Sequence, residues 1–321
     1  MNHRLMSVLS TIDPFLQKII VPFLSQQNFS GWFSAEQINQ IMQISNLNKD
    51  ALCLALLPLA AAYAITPFSH FNVGAIACGI SGNLYFGANI ECLGGSMQNT
   101  LHAEQSAIIH AWLRGEKRIQ TLTVSYVPCG YCRQFLNELN SSTDLKLCIF
   151  KHPSAMLSDY FPNGFGPHDL NVQHLLFDDI DYQFTPIGWV DHEYQLDDQQ
   201  RLCFPTFDDP LVTEVIHNSR QSYAPYSQSH SAIVLQTQNN LLFSGRYAEN
   251  AAFNPSLQPL LVALNLLNFS NTTTSSSYYD QKITCAILAE RWDAPLTQWT
   301  DTLKILIQLG CHKIYHLIIT C

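Results

Sequence analysis

Charged side chains are scarce in this sequence of 321 residues, where Asp, Glu, Lys and Arg together make up only 13%. Basic residues are the scarcer kind, with 16 Lys and Arg against 25 Asp and Glu, and the formal net charge is -9. No part of the chain gathers Lys and Arg into the dense cluster that binds a phosphate backbone. We therefore expect no nucleic acid as its main ligand.

Long apolar runs are also missing. The longest, Ala51 to Ile65, holds 15 residues and contains Pro58, whereas a helix needs about 20 apolar residues to cross a bilayer. Asp13 and Pro14 interrupt the apolar N-terminal stretch too early for a secretory signal. We therefore expect no membrane partner and a cytoplasmic location, where most of the ten cysteines are free buried thiols.

Hydrophobic residues make up 47% of the chain, which predicts a globular protein of about two compact units. Residues 1–48 are helically periodic, and Ser34 and Gln37 form a capping box, so they predict a small helical domain. Residues 49–152 predict an α/β unit, because strand-like and helical segments alternate. Its predicted elements are Asp50–Ala64 (helix), Phe71–Gly79 and Leu84–Glu91 (hairpin), His102–Arg114 (helix), Ile119–Val127 (strand), a helix from Gly130, and Lys146–Phe150 (strand).

The second half of the chain repeats part of the first. The segment Tyr223–Leu235 parallels Tyr63–Ala75, and Asn239–Glu249 parallels Gly82–Glu91. The predicted fold is therefore a duplicated α/β unit, with residues 153–190 as linker and 191–321 as the second copy. The polar stretch Ser270–Ser277 predicts a loop inserted in that copy.

Cys129 and Cys132 stand three positions apart where a strand gives way to a helix. A helix N-terminus favours thiolates over thiols, and this spacing can direct both sulfurs at one ion. With His102 they provide three zinc ligands and leave a fourth tetrahedral position for water, as catalytic zinc requires. Glu104 lies too close to His102 to be an easy further ligand, so it is the candidate general acid and base.

Less specific interpretations accompany these residues. A structural zinc site would need a fourth protein ligand, and Glu104 alone could be a favourable charge in the first turn of a helix. Near the C-terminus, Cys311, His312 and His316 could suggest a second metal site. Because residues 312–320 alternate like a strand, we interpret these histidines as ordinary surface residues.

The histidine, glutamate and cysteine pattern is the signature of zinc-dependent nucleobase deaminases. Together with FNVGA (71–75) and NIE (89–91), the stretches HAEQ (102–105) and PCGYC (128–132) resemble the cytidine deaminase family over nearly the whole chain. The resemblance is closest to the long dimeric bacterial type. It implies a helical N-terminal domain, an active three-layer α/β/α domain, a degenerate second copy and a homodimer.

The resemblance also implies an activity: hydrolysis of cytidine and 2'-deoxycytidine to uridine and 2'-deoxyuridine with release of ammonia, in pyrimidine salvage. The second copy has neither the His-x-Glu nor the Cys-x-x-Cys pattern, so we expect one Zn²⁺ per chain. The implied zinc ligands are His102, Cys129 and Cys132, and the implied proton shuttle is Glu104. The residues implied to bind the nucleoside are Phe71, Asn89, Glu91, Ala103 and, from the neighbouring subunit, Phe165.

Two other functions stay open at this point. A deaminase acting on a nucleotide or polynucleotide would need an Arg or Lys that binds phosphate near the pocket. A zinc-binding or nucleoside-binding module without catalysis would make Glu104 dispensable. Substitution of Glu104 by Ala separates this last possibility from an enzyme.

Overall fold

A computed structural model describes residues 2–26, 29–93, 95–96, 98–191, 204–270 and 281–321. Of the predicted loop Ser270–Ser277, only Ser270 is among the described residues. Within those ranges, no helix has the length and apolar character needed to cross a membrane.

Three helices form the N-terminal region that the periodicity predicted. Two of them lie before residue 25, because Asp13 accepts hydrogen bonds from the Phe15 and Leu16 N–H groups and starts a new helix at Pro14. The capping box at Ser34 and Gln37 is present. The helices are α1 (His3–Val8), α2 (Pro14–Leu24) and α3 (Ala35–Ser45).

The first copy is built on a six-stranded sheet with the strand order β1-β3-β2-β6-β7-β8. Strands β6 and β7 are parallel, and the other neighbours are antiparallel. The strands are β1 (Trp32–Phe33), β2 (Gly74–Gly79), β3 (Leu84–Ala88), β6 (Ile119–Val124), β7 (Lys146–Ile149) and β8 (Ala155–Met156). A separate ribbon pairs β4 (Ile90–Glu91) with β5 (Thr100–Leu101), and the helices are α4 (Lys49–Ala61), α5 (Ala103–Leu113), α6 (Gly130–Leu136) and α7 (Leu157–Tyr160).

Alternation along the strands makes this copy a three-layer α/β/α unit. Ile76 and Cys78 of β2 pack with α4 and the N-terminal helices on one face of the sheet. Ala75 and Ala77 point to the other face and pack with α5. The predicted fold class is confirmed in this copy.

The second copy has a five-stranded sheet with the order β11-β10-β12-β13-β9. Helix α8 packs on one face and α9 on the other. A single hydrophobic core extends from α5 to α9, so the two copies share their innermost layer. The elements are β9 (Thr185–Val190), α8 (Pro210–Arg220), β10 (Ser231–Thr237), β11 (Leu242–Arg246), α9 (Pro259–Phe269), β12 (Ile283–Arg291), α10 (Trp299–Gln308) and β13 (Ile314–Thr320).

The segment predicted as a linker, residues 153–190, contributes to both sheets. Its start contains β8, which pairs with β7, and its end is β9, which pairs with β13. We therefore propose that the second unit begins by Thr185 rather than at residue 191, with 1–48 and 49–152 kept as the helical and first α/β units.

Backbone hydrogen bonds fix how the two copies correspond. The Ile65 N–H and C=O bond to Asn89 and Glu91, and the Tyr223 N–H and C=O bond to Tyr247 and Glu249 in the same way. The structural counterpart of Tyr223 is therefore Ile65. The sequence comparison pairs Tyr223 with Tyr63, two residues earlier.

Candidate active site

Two helix N-termini meet beside the sheet of the first copy. Helix α5 begins after its N-cap residue His102, whose N–H bonds to the side chain of Gln105. Helix α6 begins after its N-cap residue Cys129, whose sulfur accepts a hydrogen bond from the Cys132 N–H at 3.4 Å. The first turns of both helices therefore present their side chains and free N–H groups to one place.

His102, Cys129 and Cys132 form a compact cluster there. The His102 Nδ1 atom lies 3.4 Å from the Cys129 sulfur and 3.3 Å from the Cys132 sulfur. The three candidate ligand atoms all lie within 4.8 Å of one another, and no other such His, Cys, Asp or Glu group occurs in the described part of the chain. Cys129 is exposed and Cys132 is buried.

The cluster lowers the pKa of one of its thiols. Hydrogen bonding from Cys132, together with the nearby His102, lowers the pKa of Cys129 to about 3. Burial raises the pKa of Cys132. One thiolate is therefore favoured before any ion binds, and a divalent cation would favour the second.

The donor set fits zinc. Zinc bonds of about 2.0–2.1 Å to nitrogen and 2.3 Å to sulfur in a tetrahedron place these atoms about 3.6 Å apart, close to the distances in the cluster. No fourth protein ligand joins the group among the described residues. Three ligands with an open position are typical of catalytic rather than structural zinc.

Glu104 occupies the first turn of α5, two residues after His102. Its side chain is only 5% exposed, and burial raises the pKa of its carboxyl. It lines the same cavity as His102 and Cys129. A carboxyl group in this position can exchange protons with a molecule held beside the cluster.

A cavity of about 290 Å³ opens onto this cluster. It is large enough for a small ligand, and four of the residues predicted to bind a nucleoside line it: Phe71, Asn89, Glu91 and Ala103. Sequence reasoning missed four others, which are Val73, Thr100, Tyr126 and Val127. Val73 lies inside the FNVGA motif and the other three lie within two residues of HAEQ or PCGYC, so proximity to the motifs was the available signal.

Asn89 and Glu91 brace the loop that carries Phe71. The Asn89 amide accepts from the Val73 N–H at 2.9 Å and donates to the Phe71 C=O at 2.9 Å. The Glu91 carboxylate accepts from the Phe68 N–H at 2.9 Å and from the Ser69 N–H and hydroxyl. Desolvation raises the pKa of Glu91, but these hydrogen bonds outweigh it and hold that pKa below its usual value.

Two aromatic side chains form one wall of the cavity. Phe71 is 50% exposed, and its ring centroid lies 4.8 Å from that of Tyr126 with the planes 41° apart. A ligand with a planar ring could pack against both side chains and displace the water that they contact.

Phe165 is not part of this cavity. Its side chain is 48% exposed, and its C=O accepts hydrogen bonds from Gln134 at 2.8 Å and Asn137 at 3.2 Å. These contacts attach its loop to the region of α6. Within one chain the structure does not bring Phe165 together with the other predicted residues.

The second copy lacks the cluster at the corresponding position. A Cβ atom added to Gly87 would lie 2.2 Å from the Ala103 C=O, and one added to Gly245 would lie 2.1 Å from the Pro259 C=O. Since Ala103 corresponds to Pro259, His102 corresponds to Gln258 and Glu104 to Leu260. Gln and Leu supply neither a zinc ligand nor a proton.

These two glycines yield a matched prediction. Gly87→Ala forces β3 away from α5, and Gly245→Ala forces β11 away from α9, so each should lower the free energy of unfolding by about 1–3 kcal/mol. Only Gly87→Ala should speed loss of zinc to a chelator, because α5 carries His102. Thermal unfolding and a chelator time course measure both effects. Equal zinc loss in the two variants would contradict the assignment of the metal to the first copy.

The histidines near the C-terminus form no second metal group in the described residues. The interpretation of His316 as a surface residue is wrong, because its side chain is buried. Its Nε2 atom lies 2.8 Å from the Glu290 carboxylate, and its ring stacks on Trp299 at 4.6 Å.

Comparison with known proteins gives one consistent family. Two family models, both described as the cytidine and deoxycytidylate deaminase zinc-binding region, match residues 47–145 and 157–303. The chain is 53% identical over 317 residues to the cytidine deaminase of Sodalis glossinidius (strain morsitans), covering 99% of both chains. It is 46% identical over 314 residues to that of Proteus mirabilis (strain HI4320), covering 98% of both. A crystal structure of cytidine deaminase from Mycobacterium tuberculosis is 31% identical with a TM-score of 0.34, covering 37% of this chain and 99% of that one.

Proposed function

The chain belongs to the cytidine deaminase family, and from this premise we propose that the cluster and cavity of its first copy are the active site. The enzyme is a zinc-dependent hydrolase that converts cytidine to uridine and releases ammonia, with pyrimidine salvage as its general role. We extend the substrate to 2'-deoxycytidine. The observation that carries the proposal is the convergence of His102, Cys129 and Cys132 beside Glu104 on one cavity.

The residues of this chain have two roles in the reaction, to hold the metal and to transfer protons. His102, Cys129 and Cys132 would hold zinc, which when bound lowers the pKa of a water molecule. Glu104 takes a proton from the attacking water and delivers it to N3 of the cytosine ring. The water oxygen forms a bond to C4, and the C4–N4 bond then breaks. Glu104 passes the second proton of the water to the amino group, which leaves as ammonia.

The remaining lining residues hold the nucleoside. Phe71 and Tyr126 pack against the pyrimidine, and Ala103 forms part of the base pocket. Asn89 and Glu91 bind the ribose hydroxyls, for which their side chains have spare lone pairs beyond the loop contacts. Because Asn89 and Glu91 also hydrogen-bond to the loop that carries Phe71, the distance between the ribose-binding side chains and the ring that packs against the base is fixed.

The lining disfavours a nucleotide substrate. None of the described residues that line the cavity is Lys or Arg, so a phosphate group would lack a cationic partner there. The lowered pKa of Glu91 keeps that carboxylate negative at neutral pH, which repels a phosphate further. A nucleoside carries no such charge.

An assay with three substrates tests the proposal. Zinc-loaded protein is mixed with cytidine, 2'-deoxycytidine or cytidine 5'-monophosphate, and the ultraviolet absorbance and released ammonia are followed. We expect both nucleosides to be converted and the nucleotide to react with a kcat/KM at least about 100-fold lower, because its phosphate would lose hydration beside the Glu91 carboxylate without gaining a cationic partner. A 100-fold difference corresponds to about 2.8 kcal/mol. No conversion of either nucleoside would refute the proposed substrate.

We also propose a homodimer in which Phe165 of each subunit completes the base pocket of its partner. The exposed ring on an anchored loop supports this, as do the exposed apolar side chains near the cavity, including Phe68 and Val127. Such exposed apolar groups often mark an interface.

The dimer yields a prediction about Phe165. Phe165→Ala should raise the KM for cytidine up to about tenfold, since packing an aromatic ring against the base is worth about 0.5–1.5 kcal/mol, and should change kcat less. Phe15→Ala, a similarly exposed ring on α2, is the matched control. Light scattering should give twice the chain mass of 36.2 kDa. A fully active monomer would contradict the proposed dimer.

A cytoplasmic location is proposed on the chemistry of the cluster. Zinc binding requires Cys129 and Cys132 as separate thiolates, which a reducing compartment maintains. Each cysteine that the structure describes is a free thiol, and most of them are buried.

A further inference from the structure

We propose that Asn265, on helix α9 of the degenerate copy, is a positioning residue for the active site and acts through Ser106 of α5. The inference rests on the proposed function, because it concerns how that active site is held. It assigns the second copy a specific contribution to catalysis within the same chain.

Ser106 joins three parts of the molecule. Its N–H donates to the His102 C=O at 2.8 Å, so it belongs to the turn that begins at the candidate zinc ligand. Its hydroxyl oxygen accepts the Ala88 N–H at 3.0 Å, at the end of β3 and directly before Asn89. The hydroxyl in turn donates to the Asn265 Oδ1 at 2.6 Å. Through this one buried residue, the turn that carries His102 and the end of β3 before Asn89 are both connected to the second copy.

Asn265 binds Ser106 with both ends of its amide. Besides accepting from the hydroxyl, its Nδ2 donates to the Ser106 C=O at 3.2 Å. Both residues are fully buried, and their neighbours on the shared α5–α9 layer are mostly aliphatic. The structural counterpart of Ser106 is Val262 and that of Asn265 is Ile109. The duplication therefore places a polar pair, Ser106 and Asn265, at one contact between α5 and α9 and an apolar pair, Ile109 and Val262, at the equivalent positions. An apolar pair is thus compatible with the packing of these helices.

An alternative hydrogen bond explains why Ser106 needs this partner. A serine inside a helix can turn its hydroxyl back to the C=O four residues earlier, which bends the helix. For Ser106 that carbonyl belongs to His102. Asn265 holds the hydroxyl in the opposite direction and leaves its oxygen free to accept from Ala88. Without Asn265, the bent first turn would move His102 and Glu104 relative to β3.

Other contacts confine the effect to the start of α5. Gln105 accepts the His102 N–H and donates to the Pro255 C=O at 3.2 Å, which gives this turn a second tie to the degenerate copy. The far end of α5 is held by Arg246, which donates to the Trp112 C=O at 2.9 Å. Loss of Asn265 should therefore shift the catalytic end of the helix without releasing the helix from the core.

The test compares two asparagines on α9. Asn265→Leu removes the contact to Ser106 with a side chain of the same branching and a larger volume, a change that the control variant shares. Asn268→Leu is the matched control, because Asn268 is also buried and also makes two hydrogen bonds, to Arg4 at 2.7 Å and to the Tyr63 C=O at 2.8 Å. Its partners are Arg4 of the N-terminal region and Tyr63, which follows α4, and neither belongs to α5. The measurements are kcat and KM for cytidine, the rate of zinc loss to a chelator, and thermal unfolding.

We expect Asn265→Leu to lower kcat/KM by about 10–100-fold, as misplacement of catalytic groups by about 1 Å does, mainly through kcat. It should also speed zinc loss, whereas Asn268→Leu should lower the melting temperature and leave kcat/KM within about twofold. Ser106→Ala loses the bond to Ala88 but has no hydroxyl that could turn back to the His102 C=O, so its loss should be smaller. In the double variant Asn265→Leu should add no further loss to that of Ser106→Ala, since coupled residues are not additive.

Three outcomes would overturn the inference: a folded Asn265→Leu protein with the kcat/KM and zinc retention of the wild type, equal losses in the Asn268 variant, or additive losses in the double variant. If Asn265→Leu does not fold, Asn265→Ala decides the question, because it removes the same amide and leaves the Ser106 hydroxyl in place without adding bulk. Wild-type protein that does not act on cytidine would refute the proposed function. The zinc-loss comparison would still test the positional role.

Discussion

Glu104→Gln is expected to lower kcat/KM for cytidine by about a thousandfold while the protein keeps its zinc. Gln has the shape of Glu but cannot take a proton from water or deliver one to the ring, and general acid and base groups contribute about 10²–10⁴-fold. A thousandfold loss corresponds to about 4 kcal/mol of the barrier. The zinc content should stay unchanged because Glu104 is not part of the cluster of candidate ligand atoms. Steady-state kinetics and elemental analysis of the same samples provide the measurements.

Glu116→Gln is the control for a buried carboxyl outside the cavity. Glu116 accepts hydrogen bonds from Tyr85 and Ser81 and is as buried as Glu104. Its substitution should affect stability but not kcat/KM. If Glu104→Gln kept the activity of the wild type, its assignment as the proton shuttle would be wrong. If wild type and variant alike bound zinc and cytidine without reaction, a binding module without catalysis would be the better interpretation.

Cys132→Ser is expected to reduce the zinc content from one per chain to a small fraction and to abolish deamination. Serine is a far weaker zinc ligand than thiolate, and the two remaining protein ligands cannot retain the ion. Chelator treatment of the wild type should have the same result. Because a ligand that binds only the folded state stabilises it, the chelator should lower the melting temperature of the wild type and not that of Cys132→Ser.

Cys148→Ser is the matched control, since Cys148 is also buried and its sulfur lies 3.3 Å from the Ser154 hydroxyl, away from the cluster. This variant should keep one zinc per chain. Elemental analysis that found two zinc ions per chain would contradict the assignment, because Gln258 and Leu260 occupy the positions of His102 and Glu104 in the second copy. Retention of zinc by Cys132→Ser would remove this residue from the ligand set.

Some elements were predicted correctly because their signals are local. The capping box at Ser34 and the start of α6 at Gly130 both depend on hydrogen bonds between residues three positions apart. The duplication was visible because the same turn, aromatic strand and final Glu recur in order, and the two family matches confirm it.

Other elements were set by distant partners, and there the sequence pattern was misleading. The strand predicted over Ile119–Val127 ends at Val124. The next residue, Ser125, still bonds through its N–H to the C=O of Gly74, but Gly74 is the end of the neighbouring strand β2, so the pairing stops there. Tyr126 and Val127 therefore turn toward the cavity. Alternation placed His316 on a polar face, yet Glu290 and Trp299 bury it.

The sequence by itself determined the chemistry of this protein: the identity and spacing of the candidate zinc ligands, the acid beside them, the α/β class and the loss of these groups from the second copy. Only the tertiary structure decided which residues complete the cavity, where β9 belongs, and that Ser106 meets Asn265, 159 positions away. The reason is physical. Caps and ligand pairs depend on the geometry of a single turn, whereas contacts between distant residues depend on how entire faces of helices and sheets pack.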